Sequence, residues 1–529
     1  MNDTRTADED EILRRYVKHS APFGPIDAGI IDSAHHSVLR ELFDPHNKIY
    51  TALQTDPSLI IGRRGSGKTA YLQSMFLDGQ YSIVQEIRTA ETFSRIVNAI
   101  EKGSGASYLT ENVADLWEKL FYFALMAEVA RKYKGDNSAL KRLQKFVTQE
   151  AEQGHSSVDL LLWSVVKKLL LEVPGAGLLD ALSGVTDIWR KLTGVSFEEA
   201  RRIVLGVLDR KDERAILLLD SLEQYPTAIP NVANTLAGLL YCVGRFNQRH
   251  ERFKVRLCLP AEIYHAFTSL SAAPMKDLSN SITLHWIARE LVGVASHRLQ
   301  VYLRLYFPDH LRTPRTATLH DYLPEHITNG LGGTEDTVAY ILRHTQLQPR
   351  HLLMYLNSIF GRQRQIGGSA YPMISEDAVK AGIAQIEHRL CQEVFSAYYT
   401  RYPSAQQICE ACIPELPLRF SWGQLEKVFN RAGKKAWGGS DFGDFRRLLM
   451  ELGIMGRVTG ETERYVIGRF EYIEPFKVNA STNDDLCLHP VFAQVFHFTK
   501  KSGAKAVYPF GSDPLDQDHR TWLGSEAEA

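Results

Sequence analysis

The stretch LIIGRRGSGKTAYLQ, residues 59–73, constrains the fold more than any other part of the chain. Gly62, Gly67, Lys68 and Thr69 satisfy the spacing G-x-x-x-x-G-K-[ST]. The three apolar residues before Gly62 predict a buried strand, and the run after Gly67 predicts a helix opening at Lys68. A glycine-rich turn between strand and helix aims its backbone amides inward and forms a nest for an anion. Gly65 and Gly67 permit backbone angles that a side chain obstructs. Lys68 can then reach β- and γ-phosphates, and Thr69 can ligate Mg²⁺. The run Gly62, Arg63, Arg64, Gly65, Ser66, Gly67, Lys68, Thr69, Ala70 is therefore the expected cradle for ATP. An ordinary glycine-rich turn leaves the lysine after Gly67 unexplained.

Hydrolysis also needs an acid at the end of a neighbouring strand. RAILLLDSLEQYP, residues 214–226, reads as a buried strand running into Asp220. Asp220 is the expected partner of Mg²⁺, directly or through water. Glu223 admits two readings: it polarises the attacking water, or it caps the next helix. Lys68 and Asp220 lie about 150 residues apart, more than a minimal nucleotide-binding core needs. Residues 105–200 are accordingly read as an inserted helical module.

A site at a subunit boundary can take an arginine from its neighbour. Arg245, Arg249, Arg252 and Arg256 are candidates, but solvated helix-end arginines are commoner. Arg350, in LQPRHLLMYLN, follows a proline suited to a first helical turn. It would face the γ-phosphate from a helical lid, or else form a surface or interdomain salt bridge.

Strand and helix signals alternate through residue 286, as a mostly parallel α/β sheet requires. Strands are expected at 81–87, 214–219, 253–260 and 281–286. Helices are expected at 113–133, 157–173, 196–210 and 232–250, with Ser196 as a cap followed by glutamates. The pattern then turns helical to about 400. Residues 441–472 read as a helix and two strands around a polar turn, with an earlier helix at 421–433. That order suits a winged helix. The expected organisation is a flexible N-terminus (1–27), an ATPase core (28–286), a helical lid (287–400) and a winged-helix-like region with a loose tail (401–529).

A chain of 529 residues suits several domains. Net charge is −1, so no global field draws the chain to nucleic acid or membrane. No run of 18 apolar residues suggests a membrane span, and the acidic, polar start is no secretory signal. The expectation is a cytoplasmic protein. Six cysteines give neither a disulfide framework nor a zinc set; Cys409 and Cys412 form a lone C-x-x-C. His489 reads as a core or cap residue rather than a ligand.

The segments IIGRRGSGKTA, ILLLDSLEQ, FKVRLCLPAEIY, ITLHWIARELVGVASHRL and QPRHLLMYLNSI together resemble bacterial P-loop ATPases related to AAA+ and STAND proteins. Origin-recognition and KAP-type ATPases are near this group, and some members lie beside anti-phage defence genes. The resemblance covers roughly residues 30–510. It implies Walker A roles for Lys68 and Thr69, a Walker B role for Asp220, the second acid at Glu223 and a lid arginine at Arg350. It also implies a response to ATP coupled to oligomerisation. Two departures weaken fast turnover. The 253–260 strand ends in Cys258, Leu259 and Pro260 where a water-orienting polar residue is usual, with Glu262 just beyond. Ser221, not an acid, follows Asp220.

Three functions remain open. The chain is an ATP switch that assembles with itself or engages a protein effector. Alternatively it is a DNA-binding initiator or loader; Arg446, Arg447, Arg457, Arg464 and Arg469 supply cations near the wing, interspersed with acids. The third reading is a nucleotide-bound scaffold without turnover.

Overall fold

The computed structural model describes residues 7–32, 35, 37–42, 56–77, 79–87, 110–134, 137–155, 160–161, 164, 185–220, 230–262, 280–308, 318–367, 374–399, 401–439, 441–473, 478, 480–501 and 503–509. Five short strands pair side by side: β1 (Leu59–Gly62), β2 (Ile83–Ile87), β3 (Ala215–Leu219), β4 (Phe253–Pro260) and β5 (Ser281–Thr283). Their order is β2-β3-β4-β1-β5, and every pairing is parallel. Parallel strands buried on both faces read as unbroken apolar runs, and β1 and β3 are buried at every position. This is the α/β P-loop NTPase fold that the sequence predicts.

Two compact units emerge. One holds residues 48–62 and 71–284; the other holds 1–47, 63–70 and 285–529. The first contains the sheet and the inserted helices. Helix Thr110–Lys132 packs against Pro230–Arg249 so closely that a Cβ on Gly238 would stand 2.7 Å from Val113. Phe121, Tyr122, Phe246 and Phe253 fill the space beside them. Phe123 stacks on Trp189 at 4.4 Å. Ser196 caps Phe197–Lys211, its hydroxyl accepting from Glu199 N, as its sequence signature predicts. The expected helix at 157–173 lies largely outside the described residues.

The second unit joins helices Ala7–Tyr16, Ala288–Tyr306, Thr337–Arg343, Pro349–Gly367 and Glu376–Tyr398 to a smaller sheet. A short hairpin, β6 (His326–Thr328) and β7 (Thr334–Asp336), was not legible as strand. The smaller sheet contains β8 (Arg419–Ser421), β9 (Met455–Glu461), β10 (Tyr465–Arg469), β11 (Asp485–Leu488) and β12 (Ala506–Tyr508), in the order β12-β10-β9-β11-β8. Helix Phe442–Glu451 precedes the antiparallel β9–β10 hairpin.

Three features differ from the sequence reading. Residues 7–27, expected to be flexible and at most weakly helical, carry helix Ala7–Tyr16 and the buried side chains of Leu13, Val17 and Phe23. Arg14 donates to Leu305 O at 2.7 Å, and Phe23 N donates to Asn357 Oδ1 at 2.9 Å. The division expected at 400/401 does not separate compact units, because 285–529 cluster together. β5 stops at Thr283 rather than Trp286, and the Trp286 indole turns to other work.

His489 is fully buried. Its Nδ1 accepts from Val491 N at the start of helix Pro490–Val495, and its Nε2 donates to Thr345 O at 3.1 Å. It is a cap, as expected. All six cysteines are buried and unbridged. No helix among the described residues is long and apolar enough to cross a membrane.

Candidate functional site

The chain leaves β1 at Gly62 and enters a turn whose conformation depends on its glycines. Gly65 has φ +88° and Gly67 φ +95°, angles that L side chains rarely adopt. Helix Lys68–Ser74 begins directly after them. Ser66 N and Lys68 Nζ both donate to Arg63 O, at 3.0 and 3.1 Å, closing the turn on itself. Ser66 is buried, and its hydroxyl has no hydrogen-bond partner among the described residues. Successive amides, a lysine at the mouth and an unsatisfied buried hydroxyl fit a polyanionic phosphate chain. These residues would hold ATP; the bound triphosphate would bring the labile bond and, with Mg²⁺, its charge.

The loop clusters with the second unit, and four contacts there were invisible in the sequence. Trp286 Nε1 donates to Ser66 O at 2.8 Å. Arg64 Nη1 donates to Ser396 Oγ at 3.0 Å. A Cβ on Gly65 would meet Gln348 Oε1 at 2.8 Å and Arg350 Cβ at 3.1 Å. The Arg63 guanidinium carbon lies 5.4 Å from the centre of the Tyr472 ring. Each joins positions hundreds of residues apart, and no local pattern reports such pairs.

Arg350 therefore lies beside the loop backbone. Its guanidinium is held by acids: Nη1 is 2.8 Å from Glu393 Oε1 and Nη2 3.5 Å from Asp27 Oδ2. These ion pairs lie within the second unit. The segment leading to it is strained. Leu347 is buried at φ +47°, a region unfavourable to a branched side chain. Its N–H donates to Thr345 Oγ1 at 3.1 Å, which helps to hold that angle.

In the first unit, Asp220 directly follows β3 and is 7% exposed. Leu219 is level with Leu257 of β4, and Leu257 with Leu59 of β1. β1 thus runs three residues beyond the level of Leu219. Ligands of open parallel sheets lie outside the carboxyl ends of the strands, the edge at which β1 and β3 both end. The β4 strand ends in the buried Cys258 and Leu259, then Pro260; buried Glu262 follows. Glu223 lies outside the described residues.

Three of the four candidate trans-acting arginines, Arg245, Arg252 and Arg256, are engaged within their own unit. Arg256 is 1% exposed and sits 2.6 Å from Asp56 Oδ1. Arg245 pairs with Asp115 and Glu118, and Arg252 with Asp209 and Asp212.

No family model matches the chain. The putative transposon gamma-delta 80.3 kDa protein of Escherichia coli (strain K12) is 21% identical over 424 residues, 78% of this chain and 57% of that protein. The chain thus spans little more than half the length of the curated relative it matches. Among solved structures, the Aeropyrum pernix ORC2 protein, in ADPNP–ADP complexes, aligns with a TM-score of 0.41 and 10% identity over 91% of this chain and 93% of the other. The Aeropyrum pernix ORC1 protein in complex with DNA gives 0.31 and 14% over 83% and 89%. At these values neither alignment places a residue of this chain.

Proposed function

We propose that the chain is an ATP-binding switch that hydrolyses slowly and, in its triphosphate state, assembles with itself or engages a protein effector, as in defence systems. The carrying observation is the turn at 62–70, with two positive-φ glycines and Lys68 opening the next helix. In this reading the loop amides and Lys68 orient the β- and γ-phosphates. Thr69 and Asp220 share Mg²⁺, Glu223 polarises water, and Arg350 leaves Glu393 for the γ-phosphate. Slow turnover follows from the apolar end of β4, which offers no hydroxyl or amide to align water.

Light scattering with ATP, ADP or no nucleotide, with phosphate release followed in the same samples, tests the reading. ATP-dependent assembly is expected to vanish in Lys68→Ala and to persist longer in Glu223→Gln. Size and phosphate release indifferent to ATP and to Lys68→Ala would overturn it.

A second reading, a DNA-binding ATPase, draws on the helix-then-hairpin order at 442–469. Several cations beside the hairpin are already matched by acids, which weighs against it. Arg419 pairs with Glu461 and Asp485, Lys505 with Glu461 and Arg447 with Glu451. Arg446 lies 4.4 Å from the Trp422 ring centre. Cations already matched by acids release few counterions on meeting phosphate. Salt-sensitive DNA binding that disappears on removal of 415–529 would favour this reading over the first.

A further inference from the structure

The contact between Arg63 and Tyr472 links the phosphate loop to the base of the β9–β10 hairpin. Arg63 is the first residue after β1, and its carbonyl accepts from both Ser66 N and Lys68 Nζ. Its Nε and Nη1 are buried without a hydrogen-bond partner among the described residues. The guanidinium carbon lies 5.4 Å from the centre of the Tyr472 ring, a cation–π contact weaker than a buried ion pair.

Tyr472 has little room to move. Its ring stacks on Phe470 at 5.5 Å and meets His489 at 5.6 Å. Phe470, fully buried, directly follows β10. A Cβ on Gly453 would approach Tyr472 to 2.6 Å, and one on Gly456 would approach Phe470 to 2.9 Å. Gln346 Nε2 donates to Leu452 O at 2.9 Å and closes the other side. A close-packed cluster passes displacement on rather than absorbing it.

We propose that Arg63 is a positioning residue that reports phosphate binding at the loop to the β9–β10 hairpin through Tyr472. The inference rests on nucleotide binding at 62–70. Phosphate oxygens compete with Arg63 O for the Lys68 ammonium, and charge favours the phosphate. Arg63 O then loses one of two donors that fix its peptide, and the guanidinium gains anionic acceptors within its reach. Its hold on Tyr472 changes, and the hairpin registers the change.

Hydrogen exchange over residues 453–472 of the full chain tests this, with no nucleotide and with saturating Mg·ADP or a non-hydrolysable ATP analogue. In the wild type, nucleotide is expected to shift hairpin exchange rates by about 10-fold, a 1.4 kcal/mol change in opening. Tyr472→Phe should keep the response, since the hydroxyl has no partner among the described residues. Tyr472→Leu should abolish it, as should Arg63→Ala measured at its own saturating concentration. Arg63→Lys, which keeps a cation over the ring, should restore part of it. A response of equal size in Arg63→Ala and Tyr472→Leu overturns the relay, as does a wild type that binds nucleotide without any hairpin response. A wild type that binds no nucleotide overturns both the relay and the function it rests on. Should Tyr472→Leu fold poorly, Arg63→Ala against Arg63→Lys decides alone.

Discussion

At the scale of single residues, charge and burial give the sharpest expectations. Lys68 is 6% exposed at the mouth of the phosphate turn. Removing its charge-assisted bonds in Lys68→Ala should weaken ATP binding by about 10- to 100-fold, on the order of 1.5–3 kcal/mol. Titration with a fluorescent ATP analogue measures it. Glu387 is 6% exposed, and burial pushes its carboxyl up to about 7, against 4.5 unperturbed. Between these values the folded state keeps a proton that the unfolded chain has released. Stability is therefore full below pH 4.5 and falls as pH rises to about 7, by a total of about 3 kcal/mol. Glu387→Gln should raise the unfolding midpoint by several degrees at pH 8 relative to its effect at pH 4.5. An equal effect at both values would contradict the assignment. His489 runs the other way: burial holds its imidazole down to about 3, so its contribution is intact above 6.5 and is lost as pH falls.

At the scale of elements, caps and turns set the expectations. Ser196→Ala removes the hydroxyl that accepts from Glu199 N and should cost about 1 kcal/mol by urea denaturation. Gly453→Ala faces two penalties, a φ of +67° and a Cβ 2.6 Å from Tyr472. It should lower stability by more, about 2–3 kcal/mol in the same assay. The elements divide plainly by how they were readable. β1 and β3 stood out because strands buried on both faces leave unbroken apolar runs, and β4 because its apolar residues alternate with Lys254 and Arg256 before the run Leu257–Pro260. Helix 197–211 stood out because its cap and its period agree. The β6–β7 hairpin has three-residue strands, too short to show alternation; the dipeptides Asn329-Gly330 and Gly332-Gly333 between them are the one local turn cue, and the sequence reading did not use it. The phosphate turn was legible because its chemistry is local. Trp286, Gln348, Ser396 and Tyr472 were not, because they reach the turn through tertiary packing alone.

At the scale of the whole molecule, the chain crosses between its two units at 47/48, 62/63, 70/71 and 284/285. The eight residues 63–70 are a detour out of the sheet unit into contacts with Trp286, Gln348, Ser396 and Tyr472. A fragment ending at 284 keeps the motif, Asp220 and Glu223 but none of those contacts. Its affinity for ATP should fall about 10-fold or more, because the loop must then be ordered at the expense of binding. Calorimetry on fragment and full chain compares them directly. The same detour sets an order of events during synthesis. The ribosome makes the phosphate loop early and its last neighbour, Tyr472, more than four hundred residues later. If the proposed relay operates, a nascent chain would hold nucleotide before it could answer to it, and translation itself would keep the proposed switch silent until the hairpin has emerged.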